Sequence, residues 1–124
     1  MGKVNRKSKY IKVKNWAKSY YHQWRKEKTF CPAFNQEILV TRVGWHHLVG
    51  SRFRTKVEKI RRFKALPLAK KLIKKATTYQ EYRYEHGLHF YSLVAEMEGK
   101  RIKVILSSKK KDRKKNFLSV IVLR

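Results

Sequence analysis

Residues 41–54, TRVGWHHLVGSRFR, place two adjacent histidines, His46 and His47, behind a glycine and a tryptophan, and follow them with Arg52 and Arg54. Imidazole is the side chain whose ordinary pKa lets it take up or release a proton near neutral pH. Arginine presents a planar fork of donors that matches phosphate oxygens. Together these residue types suit acid-base chemistry at a phosphodiester. His86 and His89 flank Gly87 and form the runner-up acid/base pair. None of these histidines has metal-site spacing: His46 and His47 are adjacent rather than at i, i+4, and His86-x-x-His89 straddles a glycine. The single cysteine, Cys31, cannot complete a structural zinc set and, beside Pro32, reads as a small buried hydrophobe. No metal and no other cofactor is expected.

The charge of the chain narrows the partner. Thirty-three lysines and arginines against eight acidic residues give a formal net charge of +25 over 124 residues, a self-repulsion that a polyanionic partner relieves. Nucleic acid fits better than a lipid surface, because the basic residues run throughout the chain and no long leucine-rich amphipathic helix accompanies them. The same excess of charge suits a second kind of partner, an acidic inhibitor or antitoxin protein. No apolar run reaches the roughly 20 residues of a bilayer span, and the N-terminus MGKVNRKSKY has no apolar segment behind its cations. With one cysteine unable to form an internal disulfide, a cytoplasmic protein without a membrane partner is expected. The hydrophobic fraction of 42% is that of a folded protein rather than a disordered basic tail.

The elements that must position these residues can be read from periodicity. Residues 1–14 are dense in lysine and arginine and are expected to form a basic arm that orders on binding, with residues 15–124 as one domain. Trp16, Ala17, Tyr20, Tyr21 and Trp24 then fall on one face of a helix, an aromatic stripe better suited to core packing than to base stacking. KTFCPAFNQ breaks the pattern, and EILVT (37–41) reads as a short buried strand. Thr41 is placed to cap a helix that carries RVGWHHLVG to Gly50. On it Val43, His47 and Leu48 share one face, and Trp45, His46 and Val49 another, so the two histidines point about 100° apart. A further helix over 55–65 has Thr55 as cap and Glu58 at the capping-box position. After the Leu66-Pro67 step, another carries an apolar stripe opposite Lys70, Lys71, Lys74 and Lys75. From residue 77 the period changes to that of strands, separated by HG, EGK and SKKKDRKK. The fold predicted is α+β: N-terminal helices followed by a four-stranded antiparallel β-meander, with the helices on one sheet face.

Several enzyme classes lack their parts. The chain has no GxxxxGK[ST], GxGxxG or GxSxG, and its eight scattered acidic residues do not suit a two-metal phosphodiesterase. Metal-independent RNA cleavage needs less, because the substrate supplies its own 2′-hydroxyl nucleophile. The protein adds a base, an acid and donors for the phosphate.

The order ILVTRVGWHHLVG, KALPLAKKLI, YQEYRYE, YSLVAEMEGKRIKVILS and FLSVIVLR, over about residues 37–124, resembles the phage-associated barnase/EndoU/colicin/RelE-like nuclease families, the BECR fold. The resemblance implies a toxin-like or phage-derived endoribonuclease. In it His46 or His47 is the acid or base, Arg52 or Arg54 contacts phosphate, Tyr82 is a hydrogen-bonding residue on the first strand of the meander, and Ser119 fills a final-strand hydroxyl position where those families more often carry threonine. Arg61 and Arg62, with the four lysines of the 66–76 helix, extend the set of expected RNA phosphate contacts. Each residue also has a plainer reading: a histidine beside tryptophan can be packing, Tyr82 and Tyr84 can pair across strands, and Ser119 can satisfy a backbone group. A non-enzymatic RNA-binding protein, ribosome-associated or nucleoid-like, is the alternative.

Overall fold

The computed structural model describes residues 6–111 and 113–123, and among them four helices precede a four-stranded antiparallel sheet. The order is α1 (Arg6–Arg25), a small hairpin of β1 (Thr29–Cys31) and β2 (Gln36–Ile38), α2 (Arg42–Gly50), α3 (Lys56–Lys64), α4 (Leu66–Lys75), and the strands β3 (Glu81–Glu85), β4 (Leu88–Met97), β5 (Lys100–Ser108) and β6 (Asn116–Val122). The sheet is a meander in the order β3-β4-β5-β6. Two of its turns carry consecutive positive φ angles, 49° and 77° at His86-Gly87 and 51° and 77° at Glu98-Gly99. This is the backbone that a two-residue hairpin linker demands.

The helix caps follow the sequence. The Thr41 side chain accepts from the Val43 amide and that of Thr55 from the Glu58 amide at 3.1 Å, each satisfying a donor that a helix start leaves free. α2 and α3 pack on β6, and α4 packs on β4 and β5. The apolar residues of these helices meet Leu93, Ile102, Val104, Leu106, Phe117 and Val120, all fully buried. Cys31 is buried too, and that desolvation pushes its thiol pKa up, as suits a packing residue.

Two expectations are corrected. Residues 6–14, read as an arm, are the first half of α1; residues 1–5 lie outside the described residues. The cause is a stripe that the basic density conceals: Tyr10 and Val13 continue the helical face of Ala17, Tyr21 and Trp24 and pack against the core. The Tyr10 ring lies 6.1 Å from that of Phe63 on α3, with the Lys14 and Lys56 ammonium groups over it. Nor is EILVT a buried strand. Gln36–Ile38 pairs with β1, only Ile38 of the run is buried, and Leu39 bridges in parallel to Asn116 at the start of β6.

Among the described glycines, only Gly44 on α2 sits in close contact with a neighbouring element. A Cβ placed there would stand 2.5 Å from the Phe117 carbonyl oxygen on β6 and 2.5 Å from the Tyr21 hydroxyl, which itself donates to the Thr41 carbonyl. One of these atoms is backbone, so the helix would have to lift off the strand. Gly50, at the end of the same helix, has nothing within 4 Å of such a Cβ. Gly44→Ala should therefore cost about 2 kcal/mol or more by overpacking. Gly50→Ala should be neutral or stabilising by a few tenths of a kcal/mol. Thermal or urea unfolding of the two variants checks this, and equal effects would show that the approach of α2 to β6 is not tight.

Candidate functional site

With α2 pressed onto β6 at Gly44, His47 lies three residues further on, on the side that meets the α2–α3 loop and α3. Its Nε2 is 3.2 Å from Nη2 of Arg54. A guanidinium has only donors, so this bond requires the lone pair of Nε2 and therefore a neutral ring with its proton on Nδ1. Arg54 is itself fixed by α2, because its Nη1 donates to the His47 carbonyl at 2.8 Å. A cation satisfying the last carbonyls of a helix is favoured by their dipoles. Although His47 as a residue is exposed, crowding around the ring desolvates it, and this lowers its pKa below the usual 6.5; the charges of Arg54 and Arg62 lower it further.

Arg62 completes the cluster from α3. Its Nε donates to Glu58 at 2.9 Å, one turn earlier, and its Nη1 to Ser119 Oγ at 3.0 Å. Ser119 is wholly buried on β6. A register shift between β5 and β6 at Ile105/Leu106 brings Phe117 and Val120, three residues apart, onto one face opposite Leu106 and Val104, while Ser119 pairs with Ile105. The structure thus gathers four sequence-predicted residues, His47, Arg54, Arg62 and Ser119, from two helices, a loop and the last strand. Its chemistry is that of an unprotonated imidazole nitrogen bonded to one fixed arginine, with the charge of a second close enough to lower its pKa. Ser119 acts here as a positioning residue for Arg62.

The other predicted residues lie elsewhere. His46 points away from this cluster, into a groove of about 590 Å³ between α1 and α2 that it lines with Lys18, His22, Arg25, Arg42 and Trp45. The divergence of the two histidines is that expected of neighbouring helical positions. Tyr82 bonds His89, with its hydroxyl 2.6 Å from Nδ1, on the β3–β4 ladder at the sheet edge opposite β6. His86 occupies the exposed turn, while His89 is bonded to Tyr82. Arg52 is exposed and stacks its guanidinium on Phe53, 5.1 Å away. Arg61 lines a separate groove with Lys9, Lys56 and Lys64. Lys70 is paired with Glu27 and Lys71 with Glu98, while Lys74 and Lys75 are exposed on α4.

One residue of the site and one of the neighbouring groove escaped sequence reasoning in their present role. Glu58 anchors Arg62, a contact that the i, i+4 spacing of opposite charges on α3 could have signalled. His22 shares the α1–α2 groove with His46, and nothing in its sequence context marks it. Among the described residues no group of three histidine, cysteine or acidic side chains is arranged to hold a metal ion, and no helix is long and apolar enough to cross a membrane.

Comparison of the chain with family profiles, curated sequences and solved structures gave no match. Roles in the cluster therefore rest on its geometry.

The lowered pKa has a sign that can be checked. A histidine whose folded pKa lies below its unfolded value favours the unfolded chain when protonated, so its contribution to stability is whole above pH 6.5 and is lost as the pH falls from there through the lower folded value. Arg54→Ala removes one of the charges and should raise the His47 pKa toward 6.5, narrowing that window. Titration of the His47 ring protons by NMR measures both values. A pKa that stays in place in the variant would show that Arg54 does not set the protonation of the ring.

Proposed function

We propose that the protein is a small endoribonuclease that cuts RNA by attack of the RNA's own 2′-hydroxyl. The observation that carries this reading is the bond of His47 Nε2 to Arg54, which keeps an accepting imidazole nitrogen beside that arginine and within electrostatic reach of Arg62. An incoming phosphate gives both guanidiniums an anion to bind and frees Nε2. His47 then takes the proton of the 2′-hydroxyl, O2′ attacks phosphorus, and the bond to O5′ breaks. Arg54 and Arg62 bind the charge that builds on the phosphate oxygens, held in place beforehand by α2, Glu58 and Ser119. The products are a 2′,3′-cyclic phosphate and a 5′-hydroxyl. His46 faces another groove and His89 is bonded to Tyr82, so the leaving 5′-oxygen takes its proton from water or from the His47 imidazolium.

The reading agrees with the resemblance of the Gly-Trp-x-His segment to BECR-fold nucleases, and of the two histidines that resemblance left open it selects His47. The net charge of +25 provides the general attraction to RNA, and an acidic inhibitor protein would meet the same surface.

Incubation of the purified protein with single-stranded RNA in EDTA should yield cleavage. His47→Ala should lower its rate about a hundredfold or more and leave affinity for uncut RNA nearly unchanged, since binding is spread over many cations. His46→Ala should cut at close to the parental rate. Parental cleavage by His47→Ala, or no cleavage of any RNA by the parent with or without magnesium, would make the protein an RNA-binding domain without this activity.

A further inference from the structure

At the edge of the sheet opposite β6, the β3–β4 hairpin carries a surface that cleavage does not use. Tyr82 and Tyr84 alternate onto one face of β3 while Glu81, Arg83 and Glu85 take the other, where Glu81 pairs with Lys103 and Glu85 with Arg83. The tyrosine face of the strand is thus free of carboxylates. Its rings form a connected series. Tyr82 stacks on His89 with centroids 5.8 Å apart and planes 22° apart, and touches Tyr91 at 5.1 Å. Tyr84 meets His89 at 4.8 Å. Tyr91 in turn meets Tyr79 at 5.1 Å and Phe34 at 5.1 Å.

Packing alone would bury such a series, yet Tyr79 is 43%, Tyr82 41% and Tyr84 61% exposed. Cations come to the rings from the β5–β6 loop. The Lys111 ammonium stands 5.4 Å from the Tyr82 ring centre, and that of Lys115, buried, 4.6 Å from the centre of Phe34 and 4.8 Å from that of Tyr91. The exposed Lys109, Lys110, Arg113 and Lys114 line the same loop.

We infer that this face binds an unpaired stretch of a nucleic-acid strand, its bases stacking on Tyr82 and Tyr84 and its phosphates following the β5–β6 loop. Exposed ring faces beside a run of cations are the features by which proteins hold single strands. Tyr82 and Tyr84 are about 6.7 Å apart along the strand, room for one base on each ring. Base pairs in a duplex have no free faces to offer, so the surface selects single strands.

The inference rests on the nucleic-acid reading above for its choice of polyanion, though not on cleavage. The test therefore uses binding alone, with a short fluorescent 2′-O-methyl RNA strand that offers no nucleophile, the DNA strand of the same sequence, and the RNA duplex. The double variant Tyr82→Ala, Tyr84→Ala should weaken both single strands about tenfold or more, leave the duplex unchanged, and keep the parental salt dependence, because no charge is removed. Tyr82→Phe keeps the ring and should bind single strands as the parent does. Both tyrosines are partly exposed at the sheet edge, so the variants should stay folded, which circular dichroism checks. Loss of single-strand and duplex binding together, loss confined to RNA, a loss by Tyr82→Phe as large as by the double variant, or no loss at all would each overturn the stacking surface. A parent that binds through these rings and cuts nothing would refute the nuclease and leave this surface standing.

Discussion

The arrangement depends on the approach of α2 to β6 at Gly44. Helices that pack through side chains stand well away from a strand, but here the space a Cβ would fill is already taken by the Phe117 carbonyl and the Tyr21 hydroxyl. That contact sets the height and rotation of α2, because Tyr21 also holds the Thr41 carbonyl at the start of the helix. With the helix so fixed, His47 comes to the side where Arg54 closes the C-terminal carbonyls, and the buried Ser119 of β6 can reach Arg62 of α3. The aromatic residues around the contact secure it. Tyr21, Trp24 and Phe117 meet one another, and Trp45 bridges Tyr21 and Phe63. The aromatic stripe of α1 thus serves the site by supporting the helix that carries it.

The distribution of charge has a matching logic. Five ion pairs among the described residues engage Glu27, Glu58, Glu81, Glu85 and Glu98, five of the eight acidic residues in the chain. Most of these pairs are exposed and add little stability. Their effect is on where positive charge remains unmatched. Glu58 is an instructive exception, since its carboxylate lies within the cluster and directs Arg62 rather than cancelling the cations around His47. The two regions with the clearest chemical character, the His47 cluster and the tyrosine face of β3, lie at opposite edges of the sheet. They are built from different principles, fixed cations around a nitrogen lone pair in one and exposed ring faces in the other.

Much of this was legible in the sequence because it is local. Thr41, Thr55, the Glu98-Gly99 turn and the change of period at residue 77 each act through near neighbours, and the helices and the meander follow from them. The angular separation of His46 and His47 was legible for the same reason. The start of α1 was hidden because Tyr10 and Val13 are only two anchors in a run of cations, and their value appears when Phe63 is packed against them. The fate of EILVT depended on partners far along the chain, Lys115 and Phe117, whose backbone bonds hold Leu39 opposite Asn116. The site was legible as residue types and not as a set: Arg62 and Ser119 are 57 positions apart, and no spacing rule joins them. The aromatic residues of β3 and β4 have the alternation of cross-strand packing and do pack so, but their exposure is a property of where the helices stop covering the sheet.

The central claim is that His47 deprotonates the hydroxyl of the substrate itself. The most direct measurement is cleavage of an RNA strand in which the nucleotide on the 5′ side of the cut is replaced by its 2′-deoxy counterpart, with the ends of the fragments identified by mass. Cleavage at that position should cease while neighbouring sites are still cut, and the unmodified strand should give a 2′,3′-cyclic phosphate and a 5′-hydroxyl. Undiminished cleavage at the deoxy position, or fragments that carry a 5′-phosphate, would contradict the account.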